Sequence, residues 1–353
     1  MGDYAVIDAD GHVLESQPGI REFLDPRWRR SKFFPGDIWD RDLRGKLGAN
    51  PGGPADQLAA LDADAIDVTV MYPTAGLSIG VIRELDFATA LCRAYNDWMH
   101  AFCQTNPARL KYVALIAPQD AAAAASELRR AVTERGAVGA MLPTYVPLRP
   151  DWGYSYYDPI YAAAQELDVG LAFHATMHES VGAQRFNNFI NVHTVGHPLE
   201  QMMALCATLV GGVFERFPRL RLAYLESGIG WVPYIMDRLD EEIEKRGAEE
   251  APYLTMRPSE YIASSGRIFF GVECEEKTIP DTLRWGLADT LLYASDYPHW
   301  DGDWPHTVAA IRRRDDLPDE VKRKMLHDNV VRFYGARVEA AAAAGKTAGA
   351  STR

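Results

Sequence analysis

The chain has 353 residues, 47% hydrophobic and 24% charged, the make-up of an ordinary globular protein. A net charge of -12 without any long lysine or arginine run argues against nucleic acid as a partner. No apolar run reaches the roughly 20 residues that span a bilayer, and the cysteines show no close pairing, so a reduced cytoplasmic protein with no membrane partner is expected.

The first element begins with Ala5-Val6-Ile7, a buried-strand pattern, and ends in Asp8, Asp10 and His12. A side-chain period of two places those three polar residues on one face, with Asp10 and His12 where the strand runs out. Such an Asp-x-His pair is half of a metal site and is weak evidence alone. From Val13 to about Leu61 the chain is rich in proline and glycine and carries Trp28, Phe33, Phe34 and Trp39. A stretch of that length reads as an insertion of short elements covering the strand ends. Glu15, at its start, is either an extra ligand or a surface acid.

An alternating rhythm follows. Ala65–Met71 reads as strand two, Glu84–Gln104 as a helix, Tyr112–Ile116 as strand three, and Asp120 caps a helix to Arg135. Ala137–Leu142 is strand four, and Gly170–Phe173, strand five, delivers His174. The irregular piece Thr176–Val195 carries His178 and His193, read as loop surface, and Arg185, which can pair with a substrate carboxylate. His197-Pro198 opens a long helix, with His197 either facing the pocket or capping the helix. Leu220–Leu225, strand six, delivers Glu226, with Trp231 following in packing or substrate contact. Arg267–Val272 is strand seven. Thr290–Ser295, strand eight, delivers Asp296, and His299 follows as a substrate contact or a hydrogen-bond partner at the pocket rim. Pro318–Tyr334 reads as one helix, and residues 338–353 as a tail, either a helix extension or disordered.

Eight strands alternating with helices predict an α/β fold: one distorted (β/α)8 TIM barrel over residues 1–337, with an insertion at about 13–61. Four strand ends deliver a carboxylate or an imidazole, and a barrel gathers its chemistry at that end.

The strand-one Asp10-Gly-His12, His174, Leu225-Glu226-Ser-Gly-x-Gly-Trp231, Ala294-Ser-Asp296-Tyr-Pro-His299 and the closing Asn329-Val-Val-Arg-Phe-Tyr-Gly335 carry a resemblance. The chain resembles the amidohydrolase-related metal-dependent hydrolases, in the branch containing aminocarboxymuconate-semialdehyde decarboxylase and aromatic-acid decarboxylases. The resemblance implies His12, His174 and Asp296 as metal ligands, with Asp10 in a slot commonly held by histidine or glutamate. It puts Glu226 where those decarboxylases carry histidine. Each change swaps a neutral nitrogen for an anionic oxygen, which leans from zinc toward manganese or iron.

Crowded carboxylates suggest either a second ion, with Glu226, Glu15 or His197 as added ligands, or one ion with Glu226 as partner base. Asp296 and Glu226 are the expected acid–base groups. The implied reaction is hydrolysis or non-oxidative decarboxylation of a small carboxylated or aromatic substrate. The alternative is a dinuclear iron or manganese oxygenase on the same fold. Relatives often pair, so a homodimer is expected.

Overall fold

The computed structural model describes residues 4–31, 52–174, 182 and 185–339. Phe33, Phe34, Trp39, His178 and most of the expected tail lie outside the described residues.

Among the described residues, nine short strands form two all-parallel sheets. The first runs β1 (Ile7–Val13), β2 (Val68–Pro73), β3 (Leu110–Tyr112). The second runs β4 (Ala114–Leu115), β5 (Gly139–Pro143), β6 (Gly170–His174), β7 (Leu222–Leu225), β8 (Ile268–Val272), β9 (Leu291–Tyr293). Val113 alone separates β3 from β4, and its N–H still donates to Met71 on β2, so the two are one bent strand. That makes the eight expected staves. The ring closes where the N–H of Asp296 donates to the Asp10 carbonyl at 3.1 Å and that of His12 to the Tyr297 carbonyl at 2.7 Å. Nearly every strand residue is buried, as both faces of a parallel sheet are when helices wrap it.

The helices bury one stripe each. Helix α1 is Gln17–Phe23 and α2 is Pro54–Ala63, both inside the expected insertion. Helix α3 (Leu85–Cys103) buries Ala88, Leu91, Cys92, Tyr95, Met99 and Phe102 at helical spacing. Helix α4 (Ala121–Arg135) begins at Asp120, whose carboxylate accepts from the N–H of Ala122 and Ala123. Helix α5 spans Asp158–Leu167, α6 Phe189–Val210, α7 Val232–Glu250, α8 Pro258–Ser264 and α9 Thr307–Arg313.

Two helices depart from expectation. The long helix α6 starts at Phe189 rather than at His197, because Asn188 caps it by accepting from Asn191 N–H, and Pro198 sits inside it. The expected Pro318–Tyr334 helix is broken by a π turn at Lys324–Asp328, and its last part is α10 (Asn329–Tyr334). Helix α10 plugs the bottom of the barrel. The Asn329 amide donates to the carbonyls of Ala288 and Leu291, and Phe333 presses on Gly170, where a Cβ would come within 2.6 Å of its ring. Val338 is buried in the core, so the ordered chain runs at least one residue into the segment read as tail.

Candidate metal centre and active site

The first strand delivers its ligands through a bulge. Asp8 pairs with Thr69 and Gly11 with Met71, so β1 holds one residue more than β2 across that interval. The extra residue turns Asp8 onto the face of Gly11, opposite to His12, which corrects the one-face reading of Asp8, Asp10 and His12. Asp8 is consequently a strut. Its carboxylate accepts from Ser295 N–H at 2.9 Å, Ser295 Oγ at 2.7 Å, Thr69 Oγ1 at 2.8 Å and Asp10 N–H at 3.3 Å. Burial pushes its carboxyl up to about 7, against the pull of the Ser295 and Thr69 donors. It thereby fastens the residues beside Asp296 to those beside Asp10.

Asp10, His12 and His174 converge from β1 and β6. The two Nε2 atoms lie 3.1 Å apart, and Asp10 Oδ1 stands 3.6 Å from each. His12 donates its Nδ1–H to the Pro73 carbonyl at 3.0 Å, so its Nε2 carries a lone pair. Among the described residues, Asp10 Oδ1 is buried without a hydrogen-bond partner. Burial, then the neighbouring His299 and His174, holds the His12 imidazole well below its usual range, hence neutral. Lone pairs of that kind, crowded in a dry site, are a donor set for a cation. Asp296 Oδ1 lies 3.4 Å from His12 Nε2 and, with His12 and His299, forms a second group of candidate donors.

Asp296 and Glu226 share an unusual backbone. Both have positive φ, 52° and 57°, at the ends of β9 and β7. Left-handed conformations are costly for such residues and concentrate at functional sites. His299 Nδ1 donates to Asp296 Oδ1 at 2.7 Å and its Nε2 meets Thr74 Oγ1 at 3.1 Å, so both ring nitrogens are engaged and the ring orients Asp296. Burial opposes an imidazolium at His299, yet the Asp296 carboxylate lifts it above its ordinary range.

Glu226 Oε2 lies 3.2 Å from His174 Nδ1 and 4.0 Å from His197 Nδ1. Burial first, then the carboxylates of Asp296 and Asp10, pushes its carboxyl well above the usual range. The Gln201 side chain on α6 donates to the carbonyls of Phe173 and Leu225, the residues just before His174 and Glu226, and so levels the two strand ends.

A cavity of about 230 Å³ opens beside these groups, lined by Asp10, Glu226 and Asp296 and by His193, His197 and Asp301 among others. His197 is buried and faces it from the middle of α6, not from a helix start. His193, expected at the surface, lies one turn earlier on that helix, with Nε2 3.4 Å from Asp301 Oδ2. The pairing was readable in the i, i+4 spacing of the two histidines once Asn188 is taken as the cap. Asp301 carried no comparable signal.

Three expected residues go elsewhere. Glu15 gives both oxygens to the N–H groups of Ala75 and Gly76, at 3.0 and 2.7 Å, fixing the turn after β2 instead of joining the donor cluster. Arg185 is exposed and is not in the cavity wall. Trp231 packs edge-on against Phe270 at the start of α7, outside that wall.

The model of the amidohydrolase family matches residues 7–336. The chain belongs to that family. Among curated relatives, 2-amino-3-carboxymuconate-6-semialdehyde decarboxylase of Dictyostelium discoideum is 26% identical over 86% of this chain and 80% of its own length. Gamma-resorcylate decarboxylase of Rhodococcus jostii is 25% identical over 81% of this chain and 87% of its own. Of solved structures, 5-carboxyvanillate decarboxylase from Sphingomonas paucimobilis superposes with a TM-score of 0.75 at 21% identity, covering 94% of this chain and 99% of that one. A dihydroxybenzoic acid decarboxylase from a Polaromonas species, with bound manganese and the inhibitor 2-nitroresorcinol, gives 0.74 at 18% identity, over 94% and 97%. These likenesses establish the barrel and the enzyme family, in the decarboxylase branch that the motifs indicated. They do not favour the oxygenase alternative.

Proposed function

We propose that the amidohydrolase is a non-oxidative decarboxylase of a small aromatic carboxylate, working with one divalent ion, manganese foremost, held by Asp10, His12, His174 and Asp296. The observation carrying this is the buried donor cluster, above all the unpartnered Asp10 Oδ1 beside two facing Nε2 atoms. When bound, such an ion supplies positive charge that fixes substrate oxygens and offsets the charge developing as the carboxyl carbon departs.

The residues of the chain do the rest. Among the described residues the cavity wall holds Glu273, Asp301 and Asp303 but no lysine or arginine, so a substrate carboxylate is repelled by that side of the wall and turned to the donor cluster. His299 holds Asp296 in place through Nδ1–H. Glu226, kept protonated by burial, holds a proton at the cavity face. The carbon–carboxyl bond breaks, its electron pair stays on the ring carbon, and the Glu226 proton takes its place there, with carbon dioxide leaving.

A cytoplasmic homodimer belongs to the same reading. It is supported by an apolar stripe on α6 in which Leu199 and Met203 are exposed beside Cys206 and Val210. No helix among the described residues is long and apolar enough to cross a membrane.

The test is anaerobic incubation of the manganese-loaded protein with 2,6-dihydroxybenzoate, 5-carboxyvanillate and related hydroxybenzoates, reading carbon dioxide. Release from at least one supports the proposal. Turnover only by hydrolysis of an ester or amide, or only with oxygen consumed, replaces it.

A further inference from the structure

We propose that Tyr334, on the C-terminal helix at the bottom of the barrel, is a positioning residue for the metal donor Asp10. This rests on the metal reading above and adds a residue to it that lies outside the donor cluster.

The bulge in β1 takes Ala9 and Asp10 out of register with β2, since pairing resumes only at Gly11. Carbonyls displaced in this way need other donors. The Asp10 carbonyl accepts from Asp296 N–H at 3.1 Å. The Ala9 carbonyl accepts from the phenol of Tyr334 at 2.7 Å. Tyr334 thus spends its one proton on Ala9, so Tyr72, whose oxygen is 2.7 Å from that of Tyr334, is the donor in their contact. Both tyrosines are completely buried. The Tyr72 ring lies 5.5 Å from that of His174 and 6.1 Å from that of His12, directly under the cluster.

The backbone of Asp10 is therefore held on both sides, the carbonyl before it by Tyr334 on α10 and its own carbonyl by Asp296 N–H, just beyond β9. Without the phenol of Tyr334 the Ala9 carbonyl is free to swing, and the Asp10 side chain one residue further on swings with it. Groups that hold a ligand from behind typically alter metal affinity by about 10- to 100-fold.

The experiment measures manganese dissociation constants of metal-stripped protein by chelator competition, and thermal unfolding of the same metal-free samples. Tyr334→Phe is expected to weaken manganese binding about tenfold or more. Tyr72→Phe, which leaves the bond to Ala9 in place, is expected to weaken it less than about threefold although it removes an equally buried hydroxyl. Equal weakening by the two variants, or wild-type affinity in Tyr334→Phe, overturns the proposal. If Tyr334→Phe does not fold, the Tyr72→Phe/Tyr334→Phe double variant, which leaves no phenol unpaired, must meet the same tenfold criterion. Should neither fold, Tyr334 serves the fold and not the ligand, and the proposal is lost. Failure of the wild type to bind manganese is a separate outcome, which removes the metal reading itself.

Discussion

Gly11→Ala puts the site's scaffold to a stringent test. A Cβ at that position would lie 2.5 Å from Thr69 Oγ1 and 2.6 Å from Asp8 Oδ2, closer than any real carbon contact. Those two oxygens are themselves bonded to each other at 2.8 Å, so the methyl can enter only by parting them. A hydrogen bond to an ionised group contributes about 1.5–3 kcal/mol, and an overpacked methyl costs about 1–3 kcal/mol. One lost bond plus the overpacking gives a destabilisation of roughly 2.5–6 kcal/mol. The upper end applies if Asp8 also lets go of Ser295. Urea unfolding of the metal-free protein reads this directly. Thr69→Ala in the same chain removes one of the obstructing groups, so the double variant should recover part of the loss, a coupling that independent sites do not show. A cost below about 1 kcal/mol for Gly11→Ala would refute the reasoning, because the methyl would then have found room that the strut does not leave.

His174→Ala and Asp296→Ala are each expected to abolish retention of manganese through gel filtration while far-ultraviolet circular dichroism stays that of the folded barrel; retained metal in either would remove that residue from the donor set. Glu226→Gln is expected to keep the metal and lose turnover by roughly 10²- to 10⁴-fold, measured as carbon dioxide release under saturating manganese. Elemental analysis of the active protein is expected to give one divalent ion per chain.

Much of this was legible in the sequence because strands bury both faces and end abruptly in polar residues. The apolar runs before His174, Glu226 and Asp296 each stop where the layer of helices stops, and that is where the barrel mouth begins. What the sequence hid was geometry that breaks a period. The bulge between Asp8 and Gly11 leaves no mark in the pattern of apolar and polar residues, yet it decides that Asp8 is a strut and Asp10 a donor. Pro198 looked like a helix start, since proline favours the first turn, whereas Asn188 had already capped the helix. That displacement hid His193. Glu15 looked free because its partners are backbone N–H groups of Ala75 and Gly76, which no side-chain pattern announces.

The crowd of carboxylates, which the sequence allows to be read as two ions or as one ion with a partner base, is compatible with the one-ion reading proposed above. Glu15 is neutralised at a distance, by the N–H groups of a turn. Glu226 is pushed toward its protonated form by its own burial first, then by the carboxylates of Asp296 and Asp10. His12 is held neutral by burial and by the imidazoles around it. On the one-ion reading, the two carboxylates of the proposed donor set, Asp10 and Asp296, would balance the charge of a divalent ion. The swap of imidazole for carboxylate in the strand-six slot then gains a different meaning. On the proposed reading it would place a proton, not an extra ligand, at the cavity face, and a group that must hand a hydrogen to carbon needs to be charged with one beforehand.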